Sequence, residues 1–167
     1  MTDVSNSPPR DRSSSLSVIV PAFNEQDGIV GTLENLKRSV PAAEIIVVDD
    51  GSRDATFERA AAVDGVKVIR HSFNRGYGAA LKTGAAAAKR AFIGWFDADN
   101  EHRVDDLVAM HAKAEDLQLA AVIGRRQKAG VTMFRAVGKS VIRLVARLLG
   151  VRTGRDLNCG LRVFKRA

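Results

Sequence analysis

Cysteine is nearly absent: Cys159 is the only one in 167 residues. No internal disulfide framework can form, which agrees with a reducing compartment. No apolar run approaches the roughly 18 to 20 residues needed to cross a bilayer. The opening stretch "MTDVSNSPPRDRSSS" lacks an apolar centre, so a secretory signal is not expected there. Aromatic residues make up 5% of the chain, with one tryptophan and one tyrosine. Acids are missing from one region: from Arg125 onward there are 12 Lys or Arg and a single acid, Asp156, a balance of +11, while the preceding residues carry −4. Such asymmetry marks an anionic partner, whether nucleic acid, membrane lipid or phosphate. An aromatic-poor basic tail is not a recognised nucleic-acid reader, and an acidic rim would repel nucleic acid, so none is expected as a partner.

What the chain does have is alternation. Residues 1–15 are too polar to bury anything and read as a disordered leader; residues 16–167 fit one domain with a sizeable core. Short β-branched runs ("LSVIVP", "EIIVVDD", "VKVIRH", "AFIGWFD", "AAVIG") alternate with helical patterns at roughly 26–38, 53–63, 76–90 and 104–117. This predicts an α/β fold with a mostly parallel sheet flanked by helices. Ligands in such sheets sit beyond the carboxyl ends of the strands. Polar residues follow each run: "PAFNE", "DDGSRD", "HSFNRGYG", "DADNEH" and "GRR" converge on one rim.

Each motif carries its own chemistry. In "VVDDGSRD" the adjacent Asp49 and Asp50 end a strand, and one of them is expected to accept hydrogen bonds from a base or ribose; Ser52 reads as a helix N-cap. "NRGYGAALKTG" fails as a dinucleotide fingerprint and as a P-loop, because Leu81 stands where each needs glycine. Two readings of its glycine pair remain, a phosphate-receiving helix start and a tight turn. "DADNEH" places Asp97, Asp99 and Glu101 at steps of two, an oxygen set suited to Mg²⁺ or Mn²⁺ with substrate phosphates. His102 reads as a neighbour, not a ligand, and Asp99 or Asn100 is a candidate cap for the next helix. Cys159 reads as a small packing residue.

Taken together, "VIVPAFNE", "IIVVDDGSRD", "NRGYGAALKTG", "WFDADNEH" and "DLNCGLRVFKR" closely resemble glycosyltransferase family 2, and within it the dolichyl- or polyprenyl-phosphate hexose synthases. The resemblance is collinear from about Ser17 to Arg166. It implies a GT-A (Rossmann-like) fold and metal-dependent, inverting transfer of a hexose from a nucleotide diphosphate sugar to a polyprenyl phosphate. It assigns Pro21, Ala22, Glu25 and Asp50 to the nucleoside pocket with Asp49 beside it, Asn74 and Gly76 to the donor cleft, and Ala98 to the substrate site. Asp97, Asp99 and Glu101 would hold the metal and diphosphate, and Arg125 and Arg162 would face phosphates. The family often has glutamine at Glu101, prolines at Arg103 and Val104, and an aromatic at Leu161. Relatives often continue beyond the final motif, so a C-terminal truncation is among the expectations.

A phosphate monoester with second pKa near 6 is already ionised at neutral pH and needs cations more than a base. Arg125, Arg126 and Arg162 suit that acceptor, while Asp156 is either a base or an orienter of an arginine. Residues 131–150 predict an amphipathic helix whose Arg135, Lys139, Arg143 and Arg147, with no acid, suit an anionic membrane surface. The expected location is cytoplasmic, peripheral on the cytoplasmic face of a membrane. Rival readings are a polysaccharide synthase acting on a hydroxyl, which would typically show a QxxRW motif, and a non-catalytic nucleotide-sugar module, against which the intact acids argue.

Overall fold

Val18, Ile19 and Val20 are β-branched, stiff at χ1 and easily accommodated on a pleated surface, and they lie within β1 (Leu16–Ala22), which is buried along its whole length. In the computed structural model, which describes residues 12–99, 102–124 and 160–166, this strand is central. It is followed by α1 (Ile29–Ser39), β2 (Glu44–Asp49), α2 (Thr56–Ala61), β3 (Val66–Arg70), α3 (Tyr77–Ala87), β4 (Phe92–Trp95), α4 (Val104–Asp116), β5 (Ala121–Ile123) and β6 (Arg162–Lys165). The strand order is β3-β2-β1-β4-β6-β5. β1 pairs parallel with β2 and β4, and β2 parallel with β3, while β6 runs antiparallel to both β4 and β5.

Alternation along β1 divides the core into two faces. Ile19 joins Ile46, Val48, Ala80, Leu81 and Ile93 under α3. That helix comes so near that a Cβ at Gly84 would strike the Ile19 side chain. Leu16 lies on the opposite face, where Gly94 leaves room for Leu107 of α4. The antiparallel β6 has a consequence for the rim: its amino end, where Arg162 pairs opposite Trp95, meets the carboxyl ends of the parallel strands.

Three expectations change at the level of local structure. Part of the expected leader is ordered: Arg12–Ser15 form a 3₁₀ turn. The turn is held because Arg12 Nη1 donates to Asp116 Oδ1 at 2.6 Å, and Ser13 Oγ accepts from the amide of Ala42 at 3.0 Å. Ser52 does not cap α2, whose N-cap position is Ala55; the Ser52 hydroxyl accepts instead from the amide of Asn24 at 2.9 Å. Asp99 does not cap α4 either, since Arg103 occupies that position and no side chain caps it. The rest of the leader, Asn100, Glu101, Arg125, Arg126, residues 131–150, Asp156 and Cys159 lie outside the described residues.

His111 shows what this packing implies for pH. It is 3% exposed, lies edge-on to Phe92 and sits 3.0 Å from Ser15 Oγ. Burial holds its pKa below the ordinary histidine value, although Glu115 opposes the shift. A depressed folded-state pKa means that the unfolded chain binds the proton more readily. The stability from a neutral His111 is therefore complete above the unfolded pKa of about 6.5 and is lost as pH falls through the folded value. Urea unfolding from about pH 7 down to pH 5 should show falling stability, with a shallower slope in His111→Gln. Equal slopes would contradict this account.

Candidate active site

The rim is built from loops that bind one another. After β1, Asn24 adopts a positive φ of 57°, and its Oδ1 accepts from the amide of Arg53 at 2.9 Å. Glu25 N donates to Thr56 Oγ1 at 2.8 Å, and Gln26 N to Asp54 Oδ2 at 3.3 Å. The loops after β1 and β2 are thus joined side by side, as the pairing of their strands requires. Gly51, at φ 75°, fits because a Cβ there would come within 2.6 Å of the Phe73 backbone, which brings the loop after β3 against the same turn.

Asp49 and Asp50 are both buried, each with its own partners. Asp49 is fully buried and accepts from the amide of Ser52 at 3.0 Å. Arg70 Nε lies 3.0 Å from its Oδ2 but out of line for a hydrogen bond, so that oxygen has an ion-pair partner and no donor. Asp50, 3% exposed, accepts from Arg75 N at 3.0 Å, Gly76 N at 2.7 Å and His71 Nδ1 at 2.6 Å. Burial alone would raise its pKa; the two amides and the imidazole outweigh burial and hold it below the usual carboxylate range. His71 is itself fixed through Nε2 to Thr83 Oγ1 at 2.9 Å. Gly76 N donates also to Asn74 Oδ1 at 3.0 Å. This amide, at the start of α3, is therefore engaged within the protein, which favours the turn reading of the glycine pair.

On the far side of β1, Asp97 follows β4. Tyr77 donates its hydroxyl to Oδ1 at 2.7 Å, and His102 Nε2 lies 3.1 Å from Oδ2. Burial first, and then the Asp97 hydrogen bond, push the Tyr77 phenol above the ordinary tyrosine range, so it keeps its proton and donates. Gly160 closes the third side: a Cβ there would land on the Asp97 carboxylate. Ala98 is buried, with its carbonyl accepting from Thr32 Oγ1 at 3.2 Å, and Asp99 is exposed. Glu25 is raised by burial and then by the charges of Asp99 and Asp54, a sign that negative charge gathers at this rim. Arg162 lies over the Trp95 ring, 5.3 Å from its centroid. Pro21 and Ala22 are buried at the end of β1, and Asn74 is exposed. His71 and Tyr77 were not singled out by sequence reasoning; the only available signal was a sole tyrosine between two glycines.

Among the described residues, no three His, Cys, Asp or Glu side chains form a metal cage. Two carboxylates one residue apart on an acidic rim suit instead a hard divalent cation whose shell is completed by substrate phosphates.

This architecture is that of the GT-A glycosyltransferases. Glucosyl-3-phosphoglycerate synthase from Mycobacterium tuberculosis, solved with Mn²⁺, uridine-diphosphate-glucose and phosphoglyceric acid, superposes with a TM-score of 0.69 at 24% identity over 91% of this chain and 56% of that one. The glycosyl transferase family 2 profile matches residues 17–161, and the chain belongs to that family. It is 37% identical to an uncharacterized protein of Methanocaldococcus jannaschii, over 88% of this chain and 63% of that protein. It is 31% identical to human dolichyl-phosphate beta-glucosyltransferase, over 90% of this chain and 55% of the human protein. The chain thus spans a little over half to under two thirds of these relatives' lengths.

The two acidic centres differ in what their removal should cost. Asp50→Ala leaves the part-buried amide of Arg75 and the buried His71 imidazole without their acceptor and Gly76 N with Asn74 alone, so it should lower unfolding free energy by about 3 kcal/mol. Asp99→Ala, at an exposed position, should stay within about 0.5 kcal/mol. Urea denaturation measures both; a small effect at Asp50 would contradict its role as an internal anchor.

Proposed function

We propose that this chain carries the catalytic site of a metal-dependent, inverting glycosyltransferase that moves a hexose from a nucleotide diphosphate sugar to a polyprenyl phosphate. The observation that carries the reading is the placing of Asp97 and Asp99 on the same acidic rim as Arg162, beyond the strand ends of a family 2 fold. Relatives named as dolichyl-phosphate beta-glucosyltransferase and dodecaprenyl-phosphate galacturonate synthase support the acceptor class. The Mn²⁺ in the mycobacterial structure supports the cation.

In this reading Asp97 and Asp99 hold Mg²⁺ or Mn²⁺ against the donor diphosphate, with Glu101 as a further ligand. When bound, the cation supplies Lewis-acid stabilisation of the charge that grows on the leaving diphosphate. Pro21, Ala22, Glu25, Asp49 and Asp50 frame the nucleoside side, Asp50 acting through the loop it anchors; Asn74 and Gly76 line the cleft. An acceptor phosphate oxygen forms the new bond to the anomeric carbon as the bond to the diphosphate oxygen breaks, inverting the configuration. The phosphate arrives ionised, so Arg162, with Arg125 and Arg126, orients it and offsets its charge. Asp156 orients an arginine or serves as base. No described helix is long and apolar enough to cross a membrane; we place the protein peripherally on the cytoplasmic face, drawn to anionic lipid by residues 131–150.

A panel of labelled nucleotide sugars, with and without polyprenyl phosphate, tests this. One donor should label the lipid only when divalent cation is present, and Asp99→Asn should reduce the rate by about 100-fold or more. Transfer that survives chelation or Asp99→Asn contradicts the metal assignment, and label on a sugar hydroxyl contradicts the acceptor.

A further inference from the structure

Tyr77 is the first residue of α3, yet its side chain ends on a carboxylate that follows β4. The strand order explains the reach. β1 lies between β2 and β4, so residues 75–77 pass from Asp50, at the end of β2, to Asp97 beyond β4. One end of this strap is fixed by three acceptor contacts: Asp50 takes the amides of Arg75 and Gly76, and Asn74 takes Gly76 again. The other end is the phenol on Asp97 Oδ1. His102 holds Oδ2, and Gly160 packs against the same carboxylate. Asp97 is therefore confined on three sides, and only the phenol approaches from the strap. Tyr77 as a residue is 49% exposed, which leaves it within reach of a ligand at the rim.

We propose that Tyr77 is a positioning residue of the donor site: its hydroxyl fixes the orientation in which Asp97 meets a cation and a nucleoside diphosphate, and its strap ties that orientation to Asp50. The inference rests on the reading of Asp97 and Asp99 as the cation and diphosphate site. A carboxylate that ligates a metal works best when an outer partner holds it; losing such a partner typically costs 10- to 100-fold in affinity. Phenylalanine keeps the ring and removes only the donor.

The test is Mn²⁺ titration, followed by electron paramagnetic resonance, of the full chain with uridine diphosphate or guanosine diphosphate. Wild type, Tyr77→Phe, Asp97→Asn, Asp99→Asn and the Tyr77→Phe/Asp97→Asn double variant are compared, with thermal unfolding alongside. Tyr77→Phe should weaken Mn²⁺–nucleotide binding by about tenfold at an unchanged unfolding midpoint. In the Asp97→Asn background it should have no further effect. With a working donor, its KM should rise by a similar factor while the acceptor KM stays put. Wild-type affinity in Tyr77→Phe beside a loss in Asp97→Asn would overturn the positioning role and leave the site reading intact. Undiminished binding in Asp97→Asn and in Asp99→Asn would overturn both. A Tyr77→Phe loss that persists at full size in the double variant, or that comes with a lowered unfolding midpoint, would assign Tyr77 a structural role.

Discussion

A carboxylate removed from water must find donors, and Asp50 finds three: two successive backbone amides and a buried imidazole. The loop between β3 and α3 is placed by those bonds. Without them the chain would not enter α3 through Gly76 where it does, and Tyr77 would have no fixed point from which to reach Asp97. The same logic governs Asp49, whose carboxylate takes the Ser52 amide and an ion pair from Arg70. Arg70 in turn lies over the Phe57 ring, 4.7 Å from its centroid, and donates to the Ser52 carbonyl at 3.1 Å. The adjacent acids at the end of β2 thus organise two loops, one on each side.

Against this internal use stands the acidity left at the surface. Asp99 is exposed, Asp97 is partly so, and Glu25 is raised by burial and by its acidic neighbours. Like charges brought together cost free energy unless a cation offsets them. Glu25 and Asp99 come from loops that follow β1 and β4, paired neighbours in the sheet. The fold therefore creates the charge concentration, which a divalent cation would offset.

How much of this could be read in advance depended on the range of the interaction. The first four strands were legible because each is an apolar run ended by a polar cluster, and the helices because their periodicity is local. The rim was legible for the same reason. β6 was harder: "RVFK" is a short terminal strand in sequence, and its insertion between β4 and β5 is decided by long-range pairing. Arg12–Ser15 depart from the leader reading because Arg12 finds Asp116, more than a hundred residues away. Asp50 was visible as an acid at a strand end, but its partners are mostly backbone amides, which have no residue signature. Ser52 resembled a cap because a serine before a helix often is one; here a neighbouring loop supplies the amide it binds. Tyr77 lies inside a glycine-rich motif, and nothing local in "RGYG" announces a phenol on a distant carboxylate.

The central claim is that Asp97 and Asp99 together receive a cation and a nucleoside diphosphate at this rim. Crystals of the full chain grown with Mn²⁺ and a nucleoside diphosphate, with data collected near the manganese absorption edge, test it most directly. The account predicts one anomalous peak in contact with the carboxylates of Asp97 or Asp99 and with the diphosphate, with Tyr77 still on Asp97. A nucleotide bound away from the ends of β1 and β4, or a manganese peak that touches neither aspartate, would contradict it.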